Sequence, residues 1–111
     1  MMHSYNSIEY ISVFMEREET ITKIDNIIRI LLHSDSGKED DSEEMLTLKN
    51  AIDKEDRPKL ANLFEDMVVL LKDDPDNKSK IKEMWNKVMN GYGHIRPIFE
   101  ILESVKNIFL S

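Results

Sequence analysis

The sequence predicts a compact all-α bundle of four to five helices on three observations. Apolar residues recur at spacings of three and four, strand-like alternation is absent, and helix breakers fall between the periodic stretches. The 111 residues, 41% of them apolar, are read as one helical domain, 1–111, with an acidic loop at 34–42.

The first helix is expected near 7–33. Asn6 with Glu9 reads as a capping pair, and Tyr5 and Tyr10 occupy the positions of a hydrophobic staple. At about 100° per residue, Ile8, Ile11, Phe14 and Met15 share one face. Ile21, Ile24, Ile28 and Leu31 form a second stripe, rotated by more than a quarter turn, with Glu16-Arg17-Glu18-Glu19 between the two. One straight helix cannot bury both stripes against one core. Either it breaks near Thr20, an N-cap candidate, or it runs through and offers 8–15 to a second subunit or another protein.

Ser34 to Ser42, with Gly37, interrupts the pattern, and Asp41 with Glu44 then opens a second helix near 43–54. Asp56 ahead of Arg57-Pro58 opens a third near 57–72, striped by Leu60, Leu63, Phe64, Met67 and Leu71. Asp74 ahead of Pro75 opens a fourth near 75–89, striped by Ile81, Met84, Trp85, Val88 and Met89. Asn90 and Gly91 are candidates for a left-handed residue ending that helix, which leaves Tyr92, between two glycines, as an exposed aromatic. The fifth, near 97–110, carries Ile98, Leu102, Val105 and Phe109. Phe99, Ile101, Ile108 and Leu110 widen its apolar arc to about half the circumference, which places it at the centre of the bundle or, as the alternative, shares it with a neighbour. The expected core is Ile24, Ile28, Leu31, Leu63, Met67, Leu71, Trp85, Val88, Leu102 and Val105. Met45, Met67, Met84 and Met89 fall on stripes and are read as gap-filling core.

Charge is local: of 22 acids and 15 bases, residues 35–56 alone hold nine acids and three bases. A net charge of −7 argues against nucleic-acid and anionic-membrane binding. No apolar run approaches the roughly 18 residues of a bilayer span and the N-terminus lacks a secretory pattern, so the expected location is the cytoplasm. The absence of Cys excludes disulfides, thiol catalysis and thiolate metal sites.

The chemistry-bearing residues are sparse. His3, His33 and His94 form no zinc spacing, and His33, four residues after Arg29 near a helix end, reads as a cap. Glu16-x-x-Glu19 and Glu100-x-x-Glu103 have a spacing usable for magnesium, but the second pair points off its apolar stripe and no further acidic motif joins the first. Asp73, Asp74 and Asp76 lack the glycine and spacing of a calcium loop, and Gly37, Gly91 and Gly93 make no phosphate loop, so no cofactor and no metal is expected. Lys78, Lys80, Lys82 and Lys87 form a basic patch, but Trp85 lies on the opposite, core face.

The expected function is therefore non-catalytic: a regulator, inhibitor, immunity-type or adaptor protein that occludes another protein's surface. Its candidate binding residues are Ile8, Ile11, Phe14 and Met15, the acids Glu39, Asp40, Asp41, Glu43 and Glu44, and Tyr92. The expected partner is a protein with a basic patch, or a second copy. The alternatives are a dimeric assembly or secretion chaperone and, behind it, a magnesium-dependent helical nucleotide hydrolase.

Overall fold

Five helices follow one another in the computed structural model, which describes the backbone of residues 2–33 and 43–111 and, within these, the side chains of all but residues 2–11, 33, 44 and 45. They are α1 (Met2–His33), α2 (Glu43–Ala51), α3 (Arg57–Asp73), α4 (Lys78–Tyr92) and α5 (Arg96–Phe109). The all-α bundle holds, with no strand among the described residues. The proposed capping pair Asp41 with Glu44 lies outside the described residues and side chains, as does the cap proposed for His33.

α1 is unbroken. Residues 2–33 contain no Gly or Pro, and Glu16-Arg17-Glu18-Glu19 is a run of good helix formers, so nothing ends the backbone ladder at Thr20. Thr20 sits mid-helix, 2% exposed, rather than at a cap. The helix also starts ahead of Asn6, which therefore holds an interior position and not the expected N-cap. Thr20, Ile21, Ile24, Ile27 and Leu31 are buried. Ile27 is fully covered while Ile28 is only partly so, because α1 packs against both α3 and α5 and the buried face is wider than a single stripe.

α2 ends earlier than expected, at Ala51, and Arg57 closes it: Nε donates to Ile52 O at 3.1 Å and a terminal guanidinium nitrogen to Lys49 O at 2.9 Å. A cation on the last carbonyls of a helix satisfies orphan acceptors and opposes the helix dipole. α3 starts where Arg57-Pro58 predicts, but Asp56 makes no side-chain capping bond and its carboxylate lies 3.9 Å from Lys59 Nζ instead.

α4 starts three residues later than expected. Asp74 closes α3, its N–H donating to Leu70 O at 2.9 Å, and Asn77 takes the cap of α4, its side chain accepting from Lys80 N at 3.2 Å. At the far end the helix runs through Asn90 and Gly91 to Tyr92, correcting the expected left-handed ending: Gly93 closes it with φ −66°, an ordinary right-handed value. Glycine is needed at 93 for space, since a Cβ there would lie 2.5 Å from Met89 O and closer still to Met89 Sδ.

Seven of the expected core residues are buried, and Ile28, Leu63 and Trp85 pack half-buried against them. α5 packs against α1, α4 and α2, which uses its wide apolar arc, although Phe99 stays 44% exposed. Trp85 Nε1 donates to Leu102 O at 2.6 Å and Lys78 Nζ to Ser111 O at 3.2 Å, so α4 and α5 run antiparallel. Arg17 lies over Phe109 while Lys23 and Asn26 lie beside Arg96 and Ile101, so α1 and α5 are antiparallel too. The end of α5, the start of α4 and Arg17 thus mark one end of the bundle, and residues 2–16 of α1 continue past it.

The dimensions agree. The molecule measures 54 × 29 × 22 Å, and its radius of gyration is 15.5 Å. A compact chain of this length would have about 13 Å. The 32 residues of α1 span about 48 Å, close to the long axis. Among the described residues no helix is long and apolar enough to cross a membrane.

Candidate functional site

The projecting half of α1 is the feature that the bundle does not use. Residues 12–16 are all exposed, with Val13 at 41%, Phe14 at 62% and Met15 at 63%. Met15 lies eleven residues before Asn26, just over three full turns, so the two share one face of α1. The buried residues Ile24 and Leu31 occupy another face, which leaves Met15 without cover from the core. Ile8 and Ile11, the other two members of the expected apolar face, fall among the side chains that are not described.

Arg17 marks the junction between arm and bundle. Its guanidinium carbon lies 5.3 Å from the Phe109 ring centroid, a cation–π distance, and its Nε is buried with no hydrogen-bond partner among the described residues. The only base on residues 12–19 is thereby turned toward the bundle, while Glu16, Glu18 and Glu19 are exposed. Glu19 and Lys23 form a solvent-exposed pair at 3.7 Å. Spacing alone could have found Arg17, which sits four and seven residues ahead of Ile21 and Ile24 and so on the bundle-facing side.

Beside the arm, on the same side of α1, an open groove of about 690 Å³ runs between α1, α2 and α5. Lys23 and Asn26 form its α1 wall, Thr47 its α2 wall, and Arg96, Pro97 and Ile101 its α5 wall. Glu43, one of the expected binding acids, also lines it and is exposed. Arg96 Nε and Glu100 Oε1 form a surface ion pair at 3.1 Å. The sequence gives little warning of this groove, because its walls come from three elements far apart along the chain.

The remaining candidates scatter. Glu39, Asp40 and Asp41, and the side chain of Glu44, fall outside what is described. Tyr92 is half-buried in the last turn of α4 and packs against the core, so Phe14 and Phe99 are the more exposed aromatics. Lys78, Lys80, Lys82 and Lys87 are exposed, but Lys80 shares a shallow depression of about 450 Å³ with Asp66, Asp73, Asp74 and Glu83. Trp85 commits its N–H to Leu102 and packs half-buried against the core. Among the described residues no group of three or more His, Asp or Glu could hold a metal ion. The described residues of the arm and the groove present apolar surface and charge. Comparison with protein-family models, with curated proteins and with solved structures returned no match.

Proposed function

We propose that this chain is a non-catalytic protein-binding regulator, of inhibitor, immunity or adaptor type, that works in the cytoplasm by laying the N-terminal half of α1 on another protein and occluding the surface beneath. The observation that carries this reading is the exposure of Phe14 and Met15, 62% and 63%, on a helix whose next turns are sealed in the core. An amphipathic helix that projects from its own fold is the ligand half of helix-in-groove recognition. The partner's surface is apolar along the line of Phe14 and Met15 and basic where Glu16 and Glu18 meet it, and the acids of 39–44 steer the encounter.

The test is affinity capture from the source organism with wild-type protein and with Phe14→Ala/Met15→Ala, whose fold is checked by circular dichroism. The expected result is a protein retained by the wild type, released in high salt, and retained at least tenfold less by the variant. Equal retention by both would remove the arm from the binding surface.

A further inference from the structure

We propose that the depression between α3 and α4 docks a basic amphipathic helix of another protein, which lays apolar residues on Val69, Leu70 and Met84 and sets its cations against Asp66 and Asp73. This surface is separate from the arm of α1 and does not depend on what the arm binds.

The lining has the pattern of a groove that receives a third helix. On α3, Asp66, Val69, Leu70 and Asp73 follow one another at spacings of three, one and three, so they form one stripe with the apolar pair between two acids. On α4, Glu83 and Met84 face them. Val69 is 58% exposed, the most open large apolar side chain outside the arm among the described residues, while Leu70 and Met84 are half-buried beside it. Asp66 and Asp73 stand about 10 Å apart along α3, the rise of seven residues. A helix laid along the depression matches this with cations seven residues apart and apolar residues at the third and fourth positions between them.

Charge fixes the sign of the occupant. Four acids, Asp66, Asp73, Asp74 and Glu83, share the depression with one base, Lys80. Among the described residues none of the four carboxylates is in an ion pair, and only that of Asp74 accepts a hydrogen bond, from Asn77 at 3.1 Å. No three of them converge where a metal ion could sit, so the charge is spread along a rim, as a segment with several cations needs.

The bundle itself does not account for these residues. Asp73 ends α3 and Asp74 follows it, where the helix dipole disfavours negative charge. Val69 is a poorer helix former than the Leu and Lys around it and, being exposed, adds little to the core. A basic amphipathic helix covers the one and neutralises the other.

The test uses the full chain and a fluorescein-labelled helical peptide in which Lys recurs every seventh residue, Leu stands at the third and fourth positions after each Lys, and Ala and Gln fill the rest. Fluorescence anisotropy measures its binding to the wild type, to Asp66→Asn/Asp73→Asn, to Val69→Ser, and to Glu39→Gln/Asp40→Asn, which removes the same charge elsewhere. All the substituted positions in the depression are exposed, so the fold is spared. The expected result is at least tenfold weaker binding for Asp66→Asn/Asp73→Asn, a clear loss for Val69→Ser, and less than a threefold change for Glu39→Gln/Asp40→Asn. A peptide with Gln in place of Leu, of unchanged charge, is expected to bind at least tenfold more weakly. Equal weakening by the two charge variants, or equal binding of the two peptides, would mean attraction to net charge alone and overturn the proposal. Loss with Phe14→Ala/Met15→Ala but not with the depression variants would move the peptide to the arm and overturn it too. Amide signals of residues 66–74 and 80–84 that shift with protein concentration in the absence of peptide would give the surface to a second copy instead. None of these outcomes bears on capture by the arm, which is judged by its own variant.

Discussion

At Gly91 and Gly93 two glycines of one turn do opposite things. Gly91 is inside α4 with nothing within 4 Å of where a Cβ would stand, so its freedom only adds entropy to the unfolded chain. Gly93 has a regular φ of −66°, and its backbone passes so close to Met89 that a Cβ would collide with a carbonyl oxygen. Gly91→Ala is expected to stabilise the fold by about 0.5–1 kcal/mol and Gly93→Ala to destabilise it by about 1–3 kcal/mol. Urea unfolding of the two variants checks both signs; two changes of the same sign would refute the distinction. Arg17 shows the same dependence on long-range partners. Within an acidic run it reads as solvated charge, but its spacing to Ile21 and Ile24 already puts it on the bundle-facing side, and Phe109, 92 positions later in the chain, supplies the ring it lies over.

At the scale of elements, the sequence separates helix existence from helix ending. The stretches striped with Leu, Ile, Met and Phe became α1, α3, α4 and α5 because their neighbours seal those stripes, while α2 joins the core through Leu48. The endings depend on which polar side chain wins a contested backbone group. In Asp73-Asp74-Pro75-Asp76-Asn77 several residues can cap, and Pro75 is compatible with a first turn, so spacing favours Asp74. The contest is settled by α3, whose last carbonyls claim the Asp74 N–H and leave Asn77 to receive Lys80. Asn77→Ala should therefore cost about 1 kcal/mol, the usual worth of an N-cap bond, while Asp56→Ala, which loses no such bond, should cost well under half of that. Denaturant midpoints measured side by side decide it, and an equal loss for both would show that the Asp56 carboxylate caps α3 after all. α1 is the converse case: Thr20 is a good cap residue, but a cap acts only where the ladder stops, and Glu16 to Glu19 carry it through.

Across the whole molecule, α1 serves two masters. Its second half is core: Ile24 and Ile27 are wholly covered by α3 and α5. Its first half adds length without burial, and the misaligned stripes of the sequence already show that no single core could hold both. What spacing could not supply was the groove, because α2 and α5 reach α1 only through tertiary packing. The division has an energetic consequence. Burial of an Ile side chain and the void left by its truncation together amount to about 2–5 kcal/mol, whereas an exposed side chain contributes within about 0.5 kcal/mol. Ile27→Ala should thus lower the urea midpoint of the fold markedly, while Phe14→Ala/Met15→Ala, measured in dilute solution where chains are single, should leave it nearly unchanged. The two substitutions sit on the same helix, and by composition they are equally apolar. A large loss from the arm variant in dilute solution would mean that the N-terminal half of α1 folds back and helps to build the monomer, and the case for a surface kept open to other proteins would go with it.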